Sequence, residues 1–172
     1  MAMYKYFIKT PWWVQKIFPS YVWRIPSQKK IVYLTFDDGP HPTITPWVLA
    51  QLKNYNANAT FFCIGNNVRK HPFVYQQIID EGHAMGNHTY HHLNGWKTKT
   101  DKYLDSVREA SQLMVTTLFR PPYGRITRSQ AKDVAAAMKV THAAIVMWDV
   151  LSADFDRKIS PDRCIKNVLR NV

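Results

Sequence analysis

Two adjacent carboxylates, Asp37 and Asp38, stand between an apolar run, Ile31-Val32-Tyr33-Leu34-Thr35-Phe36, and the breaker Gly39-Pro40. Side by side and unpaired they would repel each other and desolvate badly, so a fold that keeps both needs a cation close by. An Asp-rich turn is the plain structural reading and calls for no chemistry. Further along, His88 and His92 are four residues apart, a spacing that on a helical turn aims both imidazoles the same way. Two such histidines are commonly surface residues. Joined by one carboxylate of the pair, they make a two-His, one-carboxylate set suited to a divalent metal with an open position. A metal held in this way acidifies water and polarises a carbonyl. The second carboxylate is then placed to take a proton, so one Asp would be ligand and the other general base, in an order the spacing leaves open. His91 aligns less well with His88 than His92 does.

Arg120 is the natural cation for the non-ligand Asp, neutralising and orienting it. Pro121-Pro122 would fix the following turn so that the Tyr123 backbone N–H faces an oxyanion. The chemistry inferred from these residues is metal-assisted hydrolysis of an amide or ester.

The elements that must position them alternate. The pattern predicts strands over 31–36, 59–64, 83–86, 118–119 and 142–148. Helices are expected over 45–55, 67–80 with a break at His71-Pro72, 99–117 and 127–138. A last helix begins at Ser160-Pro161 and runs to about residue 170. Strand–helix alternation implies an α/β fold, a parallel sheet or barrel with helices outside. Asp37-Asp38, His88/His92, Arg120 and Asp149/Asp154 each follow a predicted strand, and a parallel barrel gathers such positions on one face.

Composition narrows the class. With 172 residues, 46% hydrophobic and 20% charged, the chain is long enough for a substantial core and is not a disordered type. Its formal net charge of +11 favours anionic partners. The positive charges are spread along the chain without a dense basic helix, so a nucleic-acid partner is not expected. The two cysteines, Cys63 and Cys164, read as free thiols, Cys63 inside a strand. No stretch has transmembrane length. Lys5, Lys9 and Pro11 interrupt the N-terminus, so no signal peptide is read, which by sequence points to the cytoplasm. In that segment Trp13 with Ile17 and Val14 with Phe18 are helically spaced apolar pairs. Its expected use is to pack as an arm against the domain, with peripheral contact to the cell envelope as the alternative. The division expected is an arm over 1–27 and a catalytic domain over 28–172.

Thr35-Phe36-Asp37-Asp38-Gly39-Pro40, His88-Thr89-Tyr90-His91-His92 and Arg120-Pro121-Pro122-Tyr123 resemble the first three motifs of the polysaccharide deacetylases, carbohydrate esterase family four, with a NodB-homology domain. The resemblance runs from about Lys30 to the C-terminus. It implies a distorted (β/α) barrel, of about seven strands in the family, that removes acetyl groups from N-acetylated sugar polymers such as peptidoglycan, chitin or a related glycan. It further implies Asp38, His88 and His92 as ligands of zinc, with cobalt, nickel or manganese as substitutes. Asp37 becomes the general base, Arg120 its orienting partner, and the Tyr123 amide part of the oxyanion hole. The implied substrate places the activity at the cell envelope.

Two departures from the family pattern stand out. Asp154-Phe155 match the end of a fourth motif, but Leu151 occupies the position of its first Asp. Trp148, just upstream, reads either as a wall of the acyl pocket or as a core residue. A fifth motif, a strand bearing a Leu and the general-acid His, should follow the last helix, and the chain stops at Val172 before it. The domain is therefore expected to be incomplete at its C-terminus, with its closing staves missing. Two alternatives to the deacetylase follow: a metal- and sugar-binding remnant without turnover, and an amidohydrolase on a small non-peptide amide. The sequence leaves the oligomeric state open.

Overall fold

The computed structural model describes residues 6–172. The chain divides into two compact units, Tyr33–Ile145 and a second drawn from the chain before Tyr33 together with Val146–Val172.

The larger unit is built on five parallel strands in sequential order: β1 (Leu34–Gly39), β2 (Ala59–Cys63), β3 (Ala84–Asn87), β4 (Leu118–Phe119) and β5 (Ala144–Ile145). Each strand pairs with the next in the chain, the stave-by-stave progression of a (β/α) barrel. Parallel neighbours need long crossovers, supplied by α2 (Ile44–Asn54), α3 (Gly65–Lys70) with α4 (Pro72–Asp80), α5 (Thr100–Ser111) and α6 (Arg128–Ala137). The α/β class and five strands agree with the sequence reading.

β2 shows why the sheet forms. Ala59, Phe61 and Cys63 face the helices and join Leu49, Leu52, Val68, Tyr75 and Ile78 in one cluster. Phe62 points to the opposite side and is equally buried, as befits an inner parallel strand covered on both faces. Phe61 and Phe62 each contribute about 1.5–3 kcal/mol by leaving water. Gly86 on β3 makes room, since a Cβ there would enter the Phe62 ring.

Several boundaries differ from expectation. β1 starts three residues later than predicted and contains both aspartates, while Ile31 and Val32 are exposed. Among the described residues it pairs only with β2, so it is an edge strand there and its side chains are not the buried run the sequence suggested. Helix α5 ends at Ser111, and five residues on Thr116 leads the chain into β4: its hydroxyl donates to the Met85 carbonyl and accepts from the Leu118 N–H. The predicted face Tyr103, Val107, Ala110 and Met114 is nonetheless fully buried. β5 shrinks to two residues. Helix α6 carries a complete capping box between Thr127 and Gln130.

In the second unit, backbone bonds join Leu151 to Ile8, Thr10 to Asp149 and Met147 to Val22. Helix α7 (Pro161–Leu169) is capped by the Ser160 hydroxyl, as the sequence predicted. Helix α1 (Trp12–Ile17) buries none of its residues, although the chain on either side of it is joined by these bonds to residues 147–151. The packing is made after it: Phe18 stacks on Tyr21 at 5.5 Å, and the Trp23 indole donates to the Phe18 carbonyl.

Candidate active site

The two aspartates are separated by the backbone before any partner acts on them. Consecutive residues of a regular strand face opposite sides, and so cannot share a mouth. Here the β1–β2 register slips: Asp37 lies opposite Phe62, and Gly39, not Asp38, lies opposite Cys63. Asp38 is the extra residue of this irregularity, at φ 66°, a left-handed conformation that an Asp tolerates better than most residues. Its carbonyl is held by the Asn67 amide at 2.8 Å, and the Gly39 carbonyl by the Ile64 N–H at 2.9 Å. Loop and strand therefore over-determine the strained residue.

Asp38 meets the histidines. Its Oδ1 lies 3.4 Å from His88 Nε2 and 3.0 Å from His92 Nε2, and the three candidate ligand atoms fall within 4.8 Å of one another. The histidines do not share a helical turn, as their spacing suggested. They bracket an irregular loop in which Thr89 and His92 both have positive φ, at 62° and 52°. Two left-handed residues, not helical periodicity, bring the imidazoles 5.1 Å apart. The loop is pinned throughout: His88 N–H to the Cys63 carbonyl, Thr89 N–H to Asn87 Oδ1, and Tyr90 and His91 N–H groups to the Ser106 hydroxyl.

His88 is buried, and its Nδ1 lies 2.7 Å from the Arg120 carbonyl. A carbonyl can only accept, so Nδ1 carries a proton, and Nε2 is the ring atom turned toward Asp38 and His92, the one available to a metal. Hydrogen bonds with His88 first and His92 second hold the Asp38 carboxyl well below the usual carboxylate range, against the opposing effect of burial. Two imidazole nitrogens and an ionised oxygen thus converge, a borderline N/N/O donor set that fits a divalent ion such as zinc.

Asp37 is held separately. Arg120, only 2% exposed, donates to Asp37 Oδ1 at 2.7 Å and to the Thr35 hydroxyl at 2.8 Å. Its guanidinium lies over the Phe62 ring at 4.0 Å. Burial lowers the Arg120 pKa, and Asp37 opposes that shift. One arginine thus serves both halves of the site, its side chain on Asp37 and its carbonyl on His88. Tyr123, at φ 61° in the short turn Pro122–Gly124, sets its ring 4.6 Å from that of His92. The loops after β3 and β4 are clamped by Gln130, which donates to the Gly95 and Thr98 carbonyls, and by the Trp96 indole on the Ile126 carbonyl.

The structure therefore brings Asp37, Asp38, His88, His92, Arg120 and Tyr123 together at the C-terminal ends of β1, β3 and β4. His91 turns away to Glu109. Asp149 is engaged by Lys9 and Asp154 by the Ser152 hydroxyl; neither belongs to the Asp–His–His group, and Trp148 is half-buried in their unit. Sequence reasoning missed Thr35, Asn87, Ser106 and Gln130. Asn87 carried the clearest signal, a polar residue closing a strand immediately before a candidate ligand.

A parallel α/β sheet with a bulged Asp-Asp, two histidines and a buried arginine at its C-terminal edge makes a candidate metal site. The chain belongs to the polysaccharide deacetylase family, whose sequence model matches residues 24–143. A peptidoglycan-N-acetylglucosamine deacetylase of Bacillus cereus is 37% identical over 165 residues, covering 92% of this chain and 58% of the relative. The chain thus spans less than two thirds of the length of that relative. The solved structure of the Bc1960 peptidoglycan N-acetylglucosamine deacetylase superposes with a TM-score of 0.81 at 36% identity, covering 95% of this chain and 76% of the other. A family-four pseudoenzyme from Bacillus anthracis is also similar, with a TM-score of 0.74 at 26% identity over 84% of this chain and 52% of its own.

Proposed function

We propose that this chain carries the site of a metal-dependent deacetylase acting on an N-acetylated carbohydrate polymer of the cell envelope, peptidoglycan first among the candidates. The observation that carries the reading is the division of the aspartate pair, Asp38 to the histidines and Asp37 to Arg120. In this reading Asp38, His88 and His92 hold the metal, zinc by its donor set. A bound divalent ion would supply Lewis acidity toward the acetyl carbonyl and the attacking water. Asp37 accepts the proton released by the nucleophile. Arg120 holds and aims Asp37, and the Tyr123 amide donates to the developing oxyanion. The peptidoglycan preference follows from the relatives' names and from the net charge of +11, which favours an anionic wall polymer.

A second reading, metal and sugar binding without turnover, is favoured by Leu151, where the family resemblance expects a carboxylate. One experiment separates the two. Acetate release from N-acetylglucosamine oligomers and from peptidoglycan is measured on the zinc-loaded chain, with and without chelator. Chelator-sensitive release that falls by at least ~100-fold in Asp37→Asn, a general-base loss, supports the deacetylase. Zinc and sugar binding by calorimetry without acetate selects the second reading. The ligand assignment is tested alongside: His88→Ala and His92→Ala should each weaken zinc by at least ~10-fold. Unchanged affinity in both would overturn it.

A further inference from the structure

We propose that the surface around helix α1 docks on an anionic phospholipid bilayer. The first 32 residues contain six Lys and Arg (Lys5, Lys9, Lys16, Arg24, Lys29, Lys30) and no Asp or Glu. The unit they belong to, completed by Val146–Val172, holds 11 of the 23 Lys and Arg but only four of the 12 acidic residues, Asp149, Asp154, Asp156 and Asp162. About a third of the chain thus bears +7 of the +11 formal charge.

Exposed apolar surface lies in the same unit. Phe7, Trp12, Trp13 and Ile17 are 56%, 68%, 47% and 54% exposed, and α1 buries none of its residues. They form one patch: the Phe7 and Trp13 rings meet edge to face at 6.1 Å, Trp13 and Ile17 share a helix face, and the Lys16 ammonium sits 4.8 Å above the Trp12 ring. Two indoles and a phenyl ring held in water at the end of a folded unit are costly unless something covers them.

The patch chemistry selects the occupant. A soluble polyanion would need only the lysines and would leave the rings wet. Indole rings seat at the headgroup level of a bilayer, with the ring in the apolar boundary and the N–H in water, while flanking cations meet the lipid phosphates. With six residues, α1 lies on such a surface and does not cross it. The proposal uses no residue of the Tyr33–Ile145 unit, so its failure and that of the deacetylase reading are separately visible.

The test uses the full chain, with vesicles of phosphatidylglycerol mixed with phosphatidylcholine and with phosphatidylcholine alone. Co-sedimentation with the anionic vesicles is expected, at least ~10-fold tighter than with neutral ones, with a blue-shifted tryptophan emission. Replacing Trp12 and Trp13 by Ser should weaken partitioning at least ~10-fold while the thermal midpoint holds. Lys16→Gln, which leaves the rings intact, should weaken it roughly fivefold. No binding to anionic vesicles, or equal binding to neutral ones, would overturn the proposal. So would binding that heparin competes away and the Trp substitutions leave unchanged, which marks a charge-only site for soluble polyanions.

Discussion

Replacing Arg120 by Met separates the two tasks this residue performs, since the backbone carbonyl on His88 stays and the guanidinium on Asp37 goes. Met matches much of the aliphatic volume against Phe62, so little cavity forms. Charges about 4 Å apart at an effective dielectric of ~20 attract by about 4 kcal/mol. Asp37 is 32% exposed at its side chain, and solvent reaching it cuts the coupling to roughly 2 kcal/mol. Arg120→Met also relieves the desolvation that lowers the guanidinium pKa, which offsets part of the loss. The net expectation is a destabilisation of ~1 kcal/mol, or a fall in Tm of roughly 2–4 °C for a domain of this size. Urea unfolding followed by circular dichroism measures it, within a double-mutant cycle that adds Asp37→Asn. The cycle should return a coupling of ~2 kcal/mol; a value under ~0.5 kcal/mol would refute the pairing as an energetic link and leave it a surface contact.

Two further expectations concern residues outside the ligand set. Burial, reinforced by the nearby Asp37 charge, pushes the Cys63 thiol up to about 12, whereas Cys164 is only half-buried. In the folded chain at mild alkaline pH an aromatic disulfide reagent should therefore titrate Cys164 and spare Cys63, and equal rates for both would sink the argument. Because the folded pKa lies above the unfolded one, this thiol's contribution to stability is complete below pH ~9 and is lost as pH rises toward about 12. Cys63→Ala should flatten the alkaline fall in stability in that window. Gly95→Ala would set a Cβ 2.6 Å from Gln130 Oε1 and against the Arg125 carbonyl, forcing apart the loops after β3 and β4. Thermal melting should show a loss of ~1–3 kcal/mol, and an unchanged midpoint would mean the clamp is soft.

Much of the fold was legible because parallel strands buried on both faces leave apolar runs that need no partner to be recognised, as in Ala59–Cys63. Helix faces were equally plain, with Tyr103, Val107, Ala110 and Met114 buried as their spacing demands. Helix ends were less so. Thr116, whose side-chain bonds redirect the chain into β4, reads in isolation as one more residue of a continuing helix. The edge position of β1 was invisible for a similar reason: exposure of Ile31 and Val32 depends on which strands lie beside them, and composition does not record neighbours.

For the site, residue types alone singled out Asp37, Asp38, His88, His92, Arg120 and Tyr123, because adjacent carboxylates and paired imidazoles are costly to keep without a use. Their arrangement came from elsewhere. A strand alternates its side chains, so two neighbouring aspartates should diverge; the slipped register and the left-handed Asp38 let both serve one mouth. The histidines converge through two positive-φ residues and not through a helix. The tautomer that frees His88 Nε2 is set by the Arg120 carbonyl, 32 residues away in the chain. Chemistry is a property of side chains and can be read one residue at a time, whereas backbone irregularities and through-space partners exist only once the chain has folded.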